Sequence, residues 1–190
     1  MTLKALPNLL TLGRIAFIPV IIALLYFPGD AARWGAFALF LVASITDFFD
    51  GWLARRLNAA SRLGALLDPI ADKLIVAAIL VMLTAQGGII GIHVLAVILI
   101  LVRELAISGL REFLAGDRVT LPVSTLAKWK TTSQLAALTL LLIPAPSTGA
   151  LHTLALALLW LAAVLSVWTG AQYAAGTYRH WGGDAQGKAP

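Results

Sequence analysis

Long apolar stretches alternate with short polar breaks along this chain, and the pattern predicts a protein made of membrane-spanning helices. Each stretch has roughly the 20 residues that an α-helix needs to cross a bilayer. The six stretches comprise residues 9–26, 34–49, 65–84, 89–110, 124–143 and 151–173. Proline and glycine, which are typical of turns, lie in the breaks at 28–30, 86–88 and 144–149. We therefore predict a single domain over residues 1–190 that is an all-α polytopic membrane protein, a six-transmembrane-helix bundle with short loops.

The composition supports this class. Hydrophobic residues make up 60% of the chain and charged residues 12%, whereas soluble domains average about 45–50% and about 25%. The absence of cysteine excludes a disulfide framework. The net charge of +5 is better explained by contact with anionic lipid headgroups than by binding to nucleic acid, which we do not expect as a partner.

The distribution of basic residues predicts the orientation. The first, third and fifth connections contain only Arg33, and the other lysines and arginines fall on the opposite side or in the helix halves nearest it. Basic loops stay in the cytoplasm. We therefore predict a multi-pass protein of the cytoplasmic (inner) membrane, with both termini facing the cytoplasm.

Four aspartates fall in the hairpin formed by the second and third spans. Asp47 and Asp50 are three residues apart, and Asp68 and Asp72 are four apart. These spacings place each pair on one helix face, and the antiparallel hairpin brings the two pairs to matching depths near the cytoplasmic side. Four ionised carboxylates at that depth would repel one another, and one or two Mg²⁺ or Mn²⁺ ions would relieve the repulsion.

Small and basic residues accompany the aspartates. Gly51, Ala54 and Gly64 would let a flat or bulky ligand lie against the backbone, although small residues also permit tight helix packing. The alternative for the aspartates is that they cap helices and pair with neighbouring cations. Those cations are Arg55, Arg56 and Lys73.

Together these residues resemble the signature of a known family. The chain reads Asp47-x-x-Asp50-Gly51-x-x-Ala54-Arg55, then eight residues, then Gly64-x-x-x-Asp68-x-x-x-Asp72. This pattern resembles the signature of the CDP-alcohol phosphatidyltransferases, and each of its fixed positions is matched. The resemblance implies six transmembrane helices, a homodimer, and a polar cavity open to the cytoplasm.

The resemblance also implies residue roles. The four aspartates would hold two divalent ions, Mg²⁺ or Mn²⁺, that grip the diphosphate of CDP-diacylglycerol. Asp72 would be the general base for the attacking hydroxyl group. Gly51, Ala54 and Gly64 would make room for the cytidine nucleotide, with Arg55 nearby.

The start of the chain carries a polar face. Asn8, Thr11 and Arg14 recur every three residues and could reach the nucleotide of the CDP-lipid. The alternative is that they are polar interface residues at the start of a helix.

A second polar group lies around the fourth connection. Apolar helix follows Arg103, so this arginine could face a cavity and clamp a phosphate, or it could pair with Glu104 or extend to the interface. Residues 7–14, 101–114 and 123–131 resemble the branch of the family that uses sn-glycerol 3-phosphate as acceptor. The candidates for binding the acceptor phosphate are Arg103, Arg111, Lys128 and Lys130. The two lysines point about 200° apart on a helix, so we do not expect both to face the cavity.

Two other functions are compatible with the pattern. The same family could use another acceptor: inositol phosphate, serine or phosphatidylglycerol. A divalent-cation transporter could also use intramembrane aspartates, but it would place acidic residues along a path through the membrane. Here all four lie near one face, and the outer halves of the spans contain no carboxylate apart from the loop residue Asp30.

Overall fold

The computed structural model describes residues 6–57, 62–116, 125–144 and 149–186, and it describes side chains over 11–46, 67–114, 125–144 and 149–178. The described residues contain six α-helices and no strand. The helices are α1 Leu6–Tyr26, α2 Asp30–Leu57, α3 Arg62–Ala85, α4 His93–Gly116, α5 Thr125–Leu142 and α6 Ala150–Gln186. The predicted all-α class is therefore confirmed for the described part of the chain.

Each helix coincides with one predicted span, but several ends differ. Helix α2 continues to Leu57 and α6 to Gln186, beyond their apolar stretches. The extension of α2 contains good helix formers such as Leu53, Ala54 and Arg55, whereas α6 continues through the poor helix formers Gly182 and Gly183. Helix α4 begins at His93, after the predicted start at position 89. The backbone explains the later start of α4. Gly87 and Gly91 have φ values of 74° and 58°, which are not helical, so α3 ends and a turn forms before α4 begins.

The chain forms two compact units, and the first consists of residues 1–90 and 135–156. Helix α1 packs against both α2 and α3. The core of the first unit consists of large apolar side chains that are at most 2% exposed, including Ile21, Phe40 and Leu83. At Gly35 an added Cβ would lie 3.4 Å from Leu24 Cδ1, an ordinary van der Waals distance, so α2 faces α1 at this position.

Polar side chains close the end of the first unit where α1, α3 and α5 terminate. The Arg33 guanidinium donates to the carbonyl oxygens of Leu141 at 2.7 Å and Leu142 at 3.3 Å. The Gln86 amide donates to the carbonyl oxygen of Leu25. The last carbonyls of a helix have no partner within that helix, and a cation is favourable beside them. These two side chains therefore cap α5 and α1.

The second unit consists of residues 91–134 and 157–190. Its core combines large side chains such as Ile100 and Leu159 with the fully buried Ala96, Ala162 and Ala163. Small residues let helices approach closely in a membrane, where dispersion contacts hold them together. Trp160 Nε1 donates to His93 Nδ1 at 3.0 Å, which ties the start of α4 to α6.

Two of the described helical segments, His93–Leu114 and Ala150–Tyr178, are long and apolar enough to cross a membrane. Many large apolar side chains point outward, among them Leu105 with 73% of its surface exposed and Val102 with 60%. Soluble proteins rarely expose apolar surface on this scale, whereas lipid chains cover it in a bilayer. The single domain and the other four spans remain predictions.

Candidate functional site

Helices α1 and α3 bring four of the predicted site residues together in the first unit. The Thr11 hydroxyl donates to Asp68 Oδ1 at 2.5 Å, and Arg14 NH1 donates to Asp72 Oδ1 at 2.8 Å. The other terminal nitrogen of Arg14, NH2, lies 4.0 Å from Asp68 Oδ1. The spacing of three residues on α1 matches the spacing of four on α3, so the two rows of polar side chains meet face to face. We refer to Thr11, Arg14, Asp68 and Asp72 as the α1–α3 cluster.

Burial within the α1–α3 cluster is uneven. The Arg14 side chain is 3% exposed, whereas the side chains of Asp68 and Asp72 are 47% and 49% exposed. A buried guanidinium is costly unless carboxylates neutralise it. The arginine therefore fixes the carboxylates from the inside of the unit, and about half of each aspartate side chain remains open to a ligand.

The open carboxylates fit a divalent metal ion by donor type. Mg²⁺ and Mn²⁺ prefer carboxylate oxygen, and Mg²⁺ commonly takes only one or two protein carboxylates together with substrate phosphate. Among the side chains that the structure describes, no group of three or more His, Asp or Glu comes together. Asp47 and Asp50 lie in α2, outside the described side chains, so the set of four ligands remains a prediction.

Several other predicted residues also lie outside the described side chains, so their roles remain predictions. They are Asn8, Gly51, Ala54, Arg55 and Gly64.

Arg103 is the centre of a polar network in the second unit. Its Nε donates to the backbone oxygen of Ser166 at 3.2 Å, and its NH2 donates to Thr169 Oγ1 at 3.1 Å. Its NH1 lies 3.1 Å from Glu104 Oε1. The guanidinium therefore lies against α6 and also forms the pair with Glu104 that the sequence left open as an alternative. Its role as a phosphate clamp remains a prediction.

The two lysines of α5 differ in environment. Lys130 is 7% exposed and its ammonium group bonds to Glu104 Oε1, whereas Lys128 is exposed. The expectation that they point in different directions is confirmed. Arg111 is exposed on α4 and its guanidinium carbon lies 5.3 Å from the centre of the Tyr173 ring, a cation–π contact.

Sequence reasoning missed what α6 contributes to this network. Ser166, Thr169 and Gly170 lie on one face of α6, and an added Cβ at Gly170 would be 3.1 Å from Arg103 Cγ. The sequence carries a signal for this face, because these polar or small residues recur at steps of three and four within an otherwise apolar helix. We refer to Arg103, Glu104, Lys130, Ser166 and Thr169 as the α4–α6 network.

Comparison with known proteins places the chain in a family. Residues 4–168 match CDP-alcohol phosphatidyltransferase. A CDP-diacylglycerol–glycerol-3-phosphate 3-phosphatidyltransferase of Rickettsia bellii is 46% identical over 170 residues, which cover 88% of this chain and 92% of the relative. A protein of the same name from Cereibacter sphaeroides is 46% identical over 149 residues, 78% of this chain and 66% of the relative. A cardiolipin synthase (CMP-forming) of Oryza sativa is 39% identical over 182 residues, 88% of this chain and 55% of the relative. The chain belongs to the CDP-alcohol phosphatidyltransferase family.

Proposed function

We propose that this chain transfers the phosphatidyl group of CDP-diacylglycerol to sn-glycerol 3-phosphate. The acceptor hydroxyl oxygen forms a bond to the lipid phosphorus, the bond from that phosphorus to the bridging oxygen breaks, and CMP leaves with that oxygen. The products are phosphatidylglycerophosphate and CMP. The observation that carries the proposal is the pair of half-exposed carboxylates in the α1–α3 cluster, within a chain 46% identical to relatives named for this reaction.

The first unit would bind the CDP-lipid. Asp47, Asp50, Asp68 and Asp72 would hold Mg²⁺ or Mn²⁺, two ions in all, and the bound ions would supply Lewis-acid stabilisation of charge on the diphosphate. Asp72 would accept the proton of the attacking hydroxyl group. Arg14 would hold Asp72 in one orientation through its 2.8 Å bond.

The remaining donor contacts follow from the motif. Thr11 would orient Asp68 through its hydroxyl group. Asn8, Gly51, Ala54, Arg55 and Gly64 would surround the nucleotide.

The second unit would bind the acceptor. sn-Glycerol 3-phosphate is a dianion, and a basic environment of low exposure recognises a phosphate strongly. Arg103 and Lys130 provide two such cations. Arg111 and Lys128 are exposed and would attract the anion toward the site.

The membrane arrangement is also part of the proposal. All six helices would span the cytoplasmic membrane, with both termini and the active site on the cytoplasmic side, and the protein would act as a homodimer. The charge distribution supports the orientation, because Arg33 is the only basic residue in the three connections assigned to the outer side.

A second candidate acceptor is phosphatidylglycerol, the acceptor that would make the product cardiolipin. The 39% identity to a cardiolipin synthase (CMP-forming) favours keeping it as an alternative. The basic α4–α6 network favours the smaller acceptor, since a free phosphate monoester carries two charges and the phosphodiester of phosphatidylglycerol carries one.

The test is CMP release by purified protein in detergent micelles with CDP-diacylglycerol and Mg²⁺ or Mn²⁺. The acceptor panel contains sn-glycerol 3-phosphate, phosphatidylglycerol, inositol phosphate and serine. We expect CMP release with sn-glycerol 3-phosphate and its loss in EDTA. Release with another acceptor alone would refute the assigned acceptor, and no release with any acceptor would refute the transferase assignment.

A further inference from the structure

One carboxylate in the α4–α6 network contacts two of the four predicted acceptor cations. Glu104 Oε1 lies 3.1 Å from Arg103 NH1 and also accepts from the Lys130 ammonium group. The three side chains are 13%, 15% and 9% exposed for Arg103, Glu104 and Lys130 respectively. The carboxylate therefore links α4 to α5 and lies between two cations of low exposure.

The charges do not cancel. Arg103 and Lys130 contribute two positive charges and Glu104 contributes one negative charge, so the group keeps a net positive charge in a poorly solvated place. Two cations that share a carboxylate can stay close together, whereas without it they repel each other. The excess charge makes the group suitable for an anion.

Helix α6 fixes one side of Arg103. Its Nε and NH2 bond to Ser166 and Thr169, and Gly170 leaves room for its side chain. Only the edge that carries NH1 faces Glu104. The position of the guanidinium is thus set by α6, and that of the Lys130 ammonium group by Glu104.

Two buried polar side chains of the second unit have unused bonding capacity, and one of them belongs to the α4–α6 network. Gln134, one turn after Lys130 on α5, and Ser166 are 5% and 0% exposed. Gln134 Oε1 and Ser166 Oγ have no hydrogen-bond partner among the described residues. Buried polar atoms without partners are costly, so this interior suits a polar ligand better than an apolar one.

We propose that Glu104 is a positioning residue for the acceptor. It holds the Lys130 ammonium group beside the Arg103 guanidinium so that their other N–H groups meet the phosphate of sn-glycerol 3-phosphate. This inference rests on the proposed function, because it assumes that the acceptor phosphate binds at the α4–α6 network.

Replacing Glu104 with glutamine separates positioning from simple charge attraction. The change Glu104→Gln raises the net charge of the group by one, so charge attraction alone would lower the KM for the anionic acceptor. Positioning gives the opposite result, because a neutral amide oxygen accepts more weakly than a carboxylate and no longer offsets the repulsion between the two cations. We expect the KM for sn-glycerol 3-phosphate to rise about tenfold or more, since the phosphate loses a positioned charge-assisted donor. The KM for CDP-diacylglycerol should change less than about twofold.

The measurement is CMP release with each substrate varied at saturation of the other. Glu104→Asp keeps the charge on a shorter side chain and should recover part of the acceptor affinity. Glu112→Gln, an exposed position on the same helix, is the matched control and should leave both KM values unchanged. An acceptor KM that is unchanged or lower in Glu104→Gln would overturn the positioning role, as would an aspartate variant no better than the glutamine variant.

Lys130→Gln distinguishes failure of this inference from failure of the proposed site. If Lys130→Gln raises the acceptor KM but Glu104→Gln does not, the site stands and the positioning role is wrong. If neither variant changes the acceptor KM, the acceptor binds elsewhere and both are wrong. In the double variant, the effect of Glu104→Gln should largely disappear, because the cation that it positions is already absent. Full additivity of the two effects would overturn the positioning role.

Discussion

Replacing Arg14 with methionine should slow the reaction without preventing folding. The substitution removes the 2.8 Å bond to Asp72 and the weaker contact with Asp68 at 4.0 Å. Breaking a fully buried pair costs about 3–5 kcal/mol and an exposed pair about 0–1 kcal/mol. Here the arginine is buried and both carboxylates are half exposed, so the lost contacts should be worth an intermediate value of about 2 kcal/mol. If the transition state loses an interaction of that size, kcat/KM falls about 30-fold.

The loss should appear mainly in kcat, because Arg14 acts by orienting the residue proposed as the base. The assay is steady-state CMP release with sn-glycerol 3-phosphate, accompanied by a thermal melt of the protein in detergent. Arg14→Lys keeps a positive charge, but the lysine lacks the planar guanidinium that contacts both aspartates. We expect kcat/KM to fall about tenfold in this variant. A methionine variant that melts normally and keeps kcat/KM within about threefold of the parent would refute this reasoning.

Arg33→Met is the matched control for that experiment. Both arginines lie in the first unit and bond across helices, but Arg33 bonds to the carbonyls that end α5. Gln86, which lines the same corner, comes directly after the end of α3. The corner is therefore about 20 Å along α3 from Asp72. Arg33→Met should therefore lower Tm while leaving kcat and both KM values unchanged. A matching fall in kcat for both arginine variants would mean that Arg14 acts through stability alone.

Two further substitutions test single contacts. Asp72→Asn should reduce kcat by about 10²-fold or more while equilibrium binding of CDP-diacylglycerol persists, and an equal loss of binding would make Asp72 mainly a metal ligand. Gly170→Ala places a methyl group 3.1 Å from Arg103 Cγ and should raise the acceptor KM by about threefold to tenfold. An unchanged acceptor KM in Gly170→Ala would show that the position of Arg103 does not matter for acceptor binding.

The helices were predictable because their signal is local. Apolar runs of membrane length and the glycines at positions 87 and 91 set the elements and one of the breaks, and the structure confirms helices at all six places within the described residues. The ends were less predictable, since α2 and α6 continue beyond their apolar stretches, and hydropathy marks where a span ends rather than where a helix ends.

The partners across helices were not predictable from spacing. The pattern placed Thr11 and Arg14 on one face, but nothing local showed that this face meets Asp68 and Asp72 on α3. Arg103 illustrates the same limit, because its partners Ser166 and Thr169 come more than 60 residues later. Periodicity defines which residues share a face, whereas packing decides which faces meet.

The bond between Arg33 and the end of α5 has a consequence for how the protein is made. Its carbonyl partner Leu141 follows it by 108 residues, so the ribosome releases the α1–α2 hairpin long before that partner exists. In the proposed orientation, Arg33 crosses the membrane without this partner and lies on the outer side before α5 has been made. The contact that caps α5 can form only after α5 has been made, so it stabilises the corner of the first unit only from that point on.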